Sequence, residues 1–141
     1  MADLHDPRNV VVTVNGTEIV GFADGTFVEG EQNEERFAQH VGAKGEVTWV
    51  RNADATGKIT LTLKHNSPSN AFLHDLFKQQ DEAGAEPLSV SVQDRNFEGD
   101  VSASGSEAKI IKLPGFTRGA EVEDVEWEFL VADYESAFAT N

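Results

Sequence analysis

The chain has 141 residues, with 25 Asp+Glu against 11 Lys+Arg and a formal net charge of −14. That sign excludes a protein that grips DNA or RNA through a cationic footprint, and an anionic membrane surface would repel it. The length suits one domain burying roughly 70% of its unfolded surface; nine Phe and two Trp supply core material, and the lack of Cys excludes a disulfide frame, a thiolate metal site and a Cys nucleophile.

The first residues, MADLHDPRN, lack the basic and apolar regions of a signal peptide, so none is expected. No apolar run reaches the ~18 residues of a membrane span. Val10 to Val14 is a β-branched run, followed by Asn15-Gly16 and then Thr17 to Val20. Asn-Gly between two β-prone runs predicts a hairpin, because a type I′ turn needs φ > 0 at both central residues. Asn15-Gly16-Thr17 also spells a glycosylation sequon; without a signal peptide it reads as turn chemistry.

Phe22-Ala23-Asp24-Gly25 predicts a second turn, followed by a strand from Thr26 to Gln32 with Phe27, Glu29 and Glu31 on one face. Asn33 to His40 is polar and ambiguous between strand and loop. Glu46 to Asn52 reads as a strand with Val47 and Trp49 on one face. After a turn at Asp54 to Gly57, Lys58 to His65 alternates: Ile59, Leu61 and Leu63 against Lys58, Thr60, Thr62 and Lys64. Period two means one buried and one wet face.

One helix is expected, starting at Ser67-Pro68 with Ser67 as cap. Phe72, Leu73, Leu76 and Phe77 form its apolar stripe, and Gly84 is the expected stop. Leu88, Val90 and Val92 then alternate with Ser89, Ser91 and Gln93, and Asp94-Arg95-Asn96 turns the chain. Strands are predicted over 97–103 and 109–113, and Val125, Trp127, Phe129 and Val131 alternate with Glu126 and Glu128. About eight strands and one helix define a mainly β fold, a sandwich or barrel with one flanking helix.

No constellation of catalytic residues emerges. His5, His40, His65 and His74 show no metal-binding spacing. Asp94 to Gly99 imitates the start of a calcium loop, but Gly105 occupies its twelfth position, where a Glu is needed. Gly57-Lys58 lacks the preceding Gly and following Ser or Thr of a phosphate loop. Glu126 and Glu128 share a wet strand face, where adjacent carboxylates are ordinarily just solvated. No enzyme and no cofactor are expected.

Charge is unevenly spread: −6 over residues 1–40, +2 over 41–80, −3 over 81–120 and −7 over 121–141. A basic middle between acidic ends can pair with further copies of the chain across an interface.

Six segments carry a resemblance through their order and spacing: Val12–Gly16, Gly21–Glu29, Val41–Thr48, Thr56–Leu63, Ser67–Asn70, and Glu126–Phe129 with Ala132-Asp133. Together they resemble the tail tube proteins of contractile-tailed bacteriophages, over nearly the whole chain from Val10 to Phe138. The fold is shared with the tubes of type VI secretion and of contractile bacteriocins. The resemblance implies a single tail tube domain over 1–141, with an N-terminal arm at 1–9 and an inter-ring loop at 33–45. It implies hexameric rings whose strands join one inner β-barrel, stacked into a tube within a sheath. The implied partners are further copies of the chain, the tail sheath protein, the tape-measure protein, and the baseplate and tail terminator proteins. Genomic DNA is a partner in transit only, and no membrane insertion by this chain is implied. The implied location is the virion tail, assembled in the host bacterial cytoplasm.

Within that frame Asn33, Glu34, Glu35, Arg36, Phe37, His40 and Lys44 are candidates for the inter-ring loop. Strand parity makes Glu29, Glu31, Glu126 and Glu128 candidates for an acidic face, some of them lumenal. The rival reading is a monomeric β-sandwich module for a sugar or small ligand, with Trp49 or Trp127 as an exposed stacking platform. Parity argues against it, since each Trp shares its face with apolar neighbours.

Overall fold

The computed structural model describes residues 4–138. In chain order the elements are β1 (Val10–Val14), β2 (Thr17–Glu18), β3 (Val28–Gln32), β4 (Phe37–Val41), β5 (Val47–Arg51), β6 (Gly57–Leu63), α1 (Ser69–Gln80), β7 (Leu88–Asp94), β8 (Val101–Ile110) and β9 (Val125–Ala137), with a short 3-10 turn at Pro7–Asn9. Seven strands form one antiparallel sheet in the order β2-β1-β7-β8-β9-β6-β3, and β4 and β5 form a separate hairpin. The fold is mainly β with one helix, as expected. The seven-stranded sheet is open, with β2 and β3 as its outer strands.

The alternation along β6 sets the inside of the molecule. Gly57, Ile59, Leu61 and Leu63 are buried, while Lys58, Thr60 and Thr62 are half-buried on the opposite face. β9 answers in register, with Ile59 opposite Phe129, Leu61 opposite Trp127 and Leu63 opposite Val125. The sheet rolls around this pair, so that Val28 of β3 and Val92 of β7 pack against the same core. Val12, Val14, Val90 and Ile110 complete it from the other half, and Leu73 and Leu76 of α1 cover it.

The Asn15-Gly16 turn forms as its sequence demands, with φ of 51° and 83°. The Asn15 side-chain oxygen also accepts the Ser89 N–H at 2.9 Å, tying the turn to β7. At the helix start, the Ser67 hydroxyl accepts the Ser69 N–H at 3.2 Å and donates to the Val20 carbonyl at 2.6 Å. Gly21 lies beside it at φ 76°, where a Cβ would stand 2.5 Å from that hydroxyl oxygen. At the other end Gln80 closes off β8: its amide oxygen accepts the Ile110 N–H at 3.1 Å and its amide nitrogen donates to the Ile110 carbonyl.

Several boundaries differ from the sequence expectation. The helix ends at Gln80, and the positive φ of Gly84 serves the turn beyond it. The two strands predicted over 97–103 and 109–113 are replaced by the single strand β8. Glu107, at φ 52°, inserts an extra residue there, so that Gly105 and Ala108 both face the core although three positions apart. Residues 95–100 form a turn in which the Asp94 carboxylate accepts the Asn96 N–H at 3.0 Å. Of the segment expected as an arm, residues 1–3 lie outside the described residues, while the Asp6 N–H donates to Asn96 at 3.0 Å. Among the described residues no helix is long and apolar enough to cross a membrane.

Two predictions follow from this packing. A Cβ at Gly57 would lie 2.5 Å from the Cβ of Tyr134 and 2.8 Å from the Glu31 carbonyl oxygen. Gly57→Ala is therefore expected to cost about 1–3 kcal/mol in urea unfolding, and an unchanged midpoint would contradict this packing. Asp54 leads the chain back from β5 into β6; bonds from the Thr56 hydroxyl (2.6 Å) and N–H (2.9 Å) hold its carboxyl below the ordinary value, with a smaller contribution from Arg36. Its contribution to turn order is full above the ordinary carboxylate range and is lost as pH falls through the lowered folded value. Protection of the Thr56 amide, its exchange taken relative to the unstructured peptide at the same pH, should fall over that acid window, and Asp54→Ala should remove that fall.

Candidate functional site

Three features of the surface are built by the strand registers. The first is acidic. Across β3, β6 and β9, Glu29 stands opposite Thr60, which stands opposite Glu128; Glu31 stands opposite Lys58, and Thr62 opposite Glu126. All four candidate glutamates therefore share the sheet face that points away from the core. They surround a shallow hollow of about 140 Å³ whose only basic lining residue is Lys58. Glu29, Glu31 and Glu126 are exposed and Glu128 is half-buried.

The same face continues over β7 and β8 as a stretch of hydroxyls. Ser91 pairs with Ser104, which pairs with Glu135, and Ser106 pairs with Asp133. Ser89, Ser91, Ser104 and Ser106 line a second hollow beside Asp133 and Glu135. Short uncharged side chains here adjoin carboxylates, with no base among the lining residues. The alternation of Ser89 and Ser91 was visible in the sequence, but their union with β8 depends on pairing between distant segments.

The third feature is the β4–β5 hairpin. It continues past the end of the β3–β6 pair, joined by the Asn33 N–H to the Thr56 carbonyl (3.1 Å) and the Asn52 N–H to the Arg36 carbonyl (2.7 Å). Every residue of both strands is exposed. Phe37, Gln39 and Val41 stand opposite Arg51, Trp49 and Val47, so these six form one face. Ala38, His40, Thr48 and Val50 form the other. Of the first face, Phe37 is 59% and Trp49 68% exposed. An isolated two-stranded hairpin is marginally stable in water, and fully burying a large apolar side chain contributes roughly 1.5–3 kcal/mol. The hairpin is therefore shaped for burial against something that lies outside its own chain's core.

This corrects two sequence expectations. Of the segment read as a loop over 33–45, Phe37–Val41 is a strand and Ala43–Gly45 the hairpin's turn, so Phe37 and His40 are strand residues while Asn33, Glu34, Glu35 and Arg36 lead in and Lys44 caps the tip. Trp49 shares its face with Val47 as parity demanded, yet that face is exposed rather than internal. Trp127 is buried, at 2% exposure, and its indole N–H donates to Asn70 at 3.0 Å. Among the described residues no group of three or more His, Asp or Glu is placed to hold a metal ion.

Several solved structures share this fold. The chain superposes on the tube-terminating cap of the anti-feeding prophage with a TM-score of 0.60 at 12% identity, covering 97% of this chain and 94% of that one. It superposes equally, at 0.60 and 13% identity, on a chain of the sheath-tube complex of the extracellular contractile injection system PVC in its extended state, covering 95% and 93%. A chain of the PVC sheath/tube terminator gives 0.60 at 12% identity, covering 94% and 96%. No curated protein matches by sequence. The model of the bacteriophage PhiTE tail tube protein family matches residues 5–138, and the chain belongs to that family.

Proposed function

We propose that this chain is a structural subunit of the inner tube of a contractile phage tail, forming hexameric rings that stack. The observation that carries the reading is the free-standing hairpin, which exposes an apolar face that none of the described residues covers. The open sheet supports it, since β2 and β3 leave edge groups that a neighbouring copy in a ring would pair. Ring size rests on the family resemblance. Rings joined edge to edge would make a continuous wall, and the hairpin over residues 33–52 would bridge one ring to the next.

The acidic and hydroxyl-lined sheet face is proposed as the lumenal wall, with Glu29, Glu31, Glu126 and Glu128 among its residues. A wall of that sign repels phosphate and denies DNA the counterion release that makes basic grooves sticky. DNA would then pass without adhering and without its sequence being read. The further partners in this reading are the sheath around the tube, a tape-measure protein within it, and baseplate and terminator proteins at its ends. The particle tail is the proposed location, after assembly in the host cytoplasm. The role is scaffolding and conduction rather than catalysis.

Concentrated purified protein should show rings or tubes in negative-stain microscopy, and a monomer of ~15 kDa at every concentration would favour the ligand-binding module instead. Replacing Glu29, Glu31, Glu126 and Glu128 with Lys should leave tubes formed but slow DNA delivery from reconstituted particles. Unchanged delivery through intact tubes would sink the electrostatic account.

A further inference from the structure

The loop over 111–124 separates two hollows of opposite character. On one side Asp124, Glu126 and Glu128 gather with Lys112. On the other, the loop and α1 enclose a groove of about 400 Å³, large enough to hold a ligand. The alternation of β9 enforces the split: Trp127 turns into the groove, while Glu126 and Glu128 turn to the opposite sheet face. The centre of the groove is apolar, with Ala71 and Phe116 as walls over the buried Trp127. Phe116 is 85% exposed, so that wall stands in water.

Among the described residues no carboxylate lines this groove. The side chains with hydrogen-bonding capacity left over are Arg118, His65 and His74, each of which offers N–H groups. Asn70 is already engaged: its oxygen accepts the Trp127 indole N–H at 3.0 Å and its nitrogen donates to the Lys64 carbonyl at 2.9 Å. Arg118 donates to the Thr117 carbonyl at 2.8 Å, and its guanidinium lies 4.3 Å from the Phe116 ring centre. Stacking of that kind holds the cation in place and leaves its other donors for a ligand. Residues 63–80 carry Lys64 and Lys78 against Asp75, and residues 111–118 carry Lys112 and Arg118 without an acid. Glu121 and Glu123, further along the loop, line neither hollow. The first turn of α1, with Asn70 and Ala71 on the rim, adds the positive end of the helix dipole. In a chain of net charge −14 this groove has the other sign.

We infer that the groove receives a segment of another protein that carries large apolar side chains between carboxylates. An apolar side chain fills the centre, and a carboxylate bonds Arg118, a pairing that charge assistance strengthens. An apolar centre within a polar rim is also how protein interfaces are built. A nucleic acid fits worse: its phosphates would meet Arg118, but the apolar centre offers them nothing and the chain as a whole repels them. On the tube reading the groove opens away from the proposed lumenal face, so the segment comes from outside the tube and not from its contents. Only that placement rests on the tube reading.

The test is calorimetric titration of the full-length chain with a synthetic peptide holding two leucines between pairs of glutamates. It should bind about tenfold more tightly than the same peptide with glutamines in place of the glutamates. Arg118→Gln should erase most of that preference and leave the affinity of the glutamine peptide unchanged. Phe116→Ala should weaken both peptides alike. Both residues are exposed, so neither change touches the core. Equal affinity for the two peptides, no binding of either, or a preference indifferent to Arg118 would overturn the groove as a receiver and leave the tube reading standing. So would a single-stranded oligonucleotide that binds as tightly as the acidic peptide. Binding to dispersed chains but not to assembled tubes would mean that a second copy fills the groove, and would overturn the outside partner. A preserved preference in a chain that never forms tubes would keep the groove and remove the tube reading.

Discussion

The register between β6 and β9 is the constraint on which the remaining features depend. Ile59 faces Phe129 and Leu61 faces Trp127, and both pairs are removed from water. A slip of one residue would turn Lys58, Thr60, Glu126 and Glu128 into the core and the aromatic pair into solvent. Because the buried side is fixed by those large side chains, the wet side is fixed as well. The glutamates on β3 and β9 meet on one surface as a by-product of core packing, with no need for any direct bond between them. Tyr134 illustrates how tightly the two sides are linked: its ring lies over Gly57 and Gly30, and its hydroxyl is held above the ordinary value first by burial and then by the nearby Glu31.

Legibility in the sequence followed burial contrast. β6 could be read directly because one face is apolar and the other carries Lys and Thr. The Asn15-Gly16 turn was readable because its backbone conformation admits few residue types, and the helix start because Ser67 and Pro68 suit those positions. β4 was unreadable for the opposite reason: with solvent on both faces, Phe37 to Val41 shows no clean alternation. Trp49 was read correctly for the company it keeps on its strand, but parity says only that a face is apolar, not that its own chain covers it. β8 was split in two because Gly105 and Glu107 interrupt the pattern where the bulge lies. The pairing of Ser91 with Ser104, like that of Thr60 with Glu128, joins segments whose proximity no local pattern encodes.

Family membership and physical reading converge from different directions. The family match is a statement about the whole chain, whereas the surface argument concerns a few residues whose exposure is uneconomical for a solitary protein. The helix contributes least to that surface and most to the enclosure of the core. Its first turn is stitched to the end of the segment after β2 through Ser67 and Ser69, and its last residue to β8 through Gln80. Fastened at both ends, α1 gives the neighbouring loop a firm bank to lie against.

The hairpin is attached to the body through two short connecting segments and shares none of the core. Its side chains therefore answer to a different set of neighbours from those that decide whether the chain folds. A global unfolding measurement reports on Phe129 and Leu61 and is nearly blind to Trp49. Mutational robustness divides along the same line: the body and the hairpin can drift in sequence independently, and substitutions on the hairpin's exposed faces leave the folding core untouched.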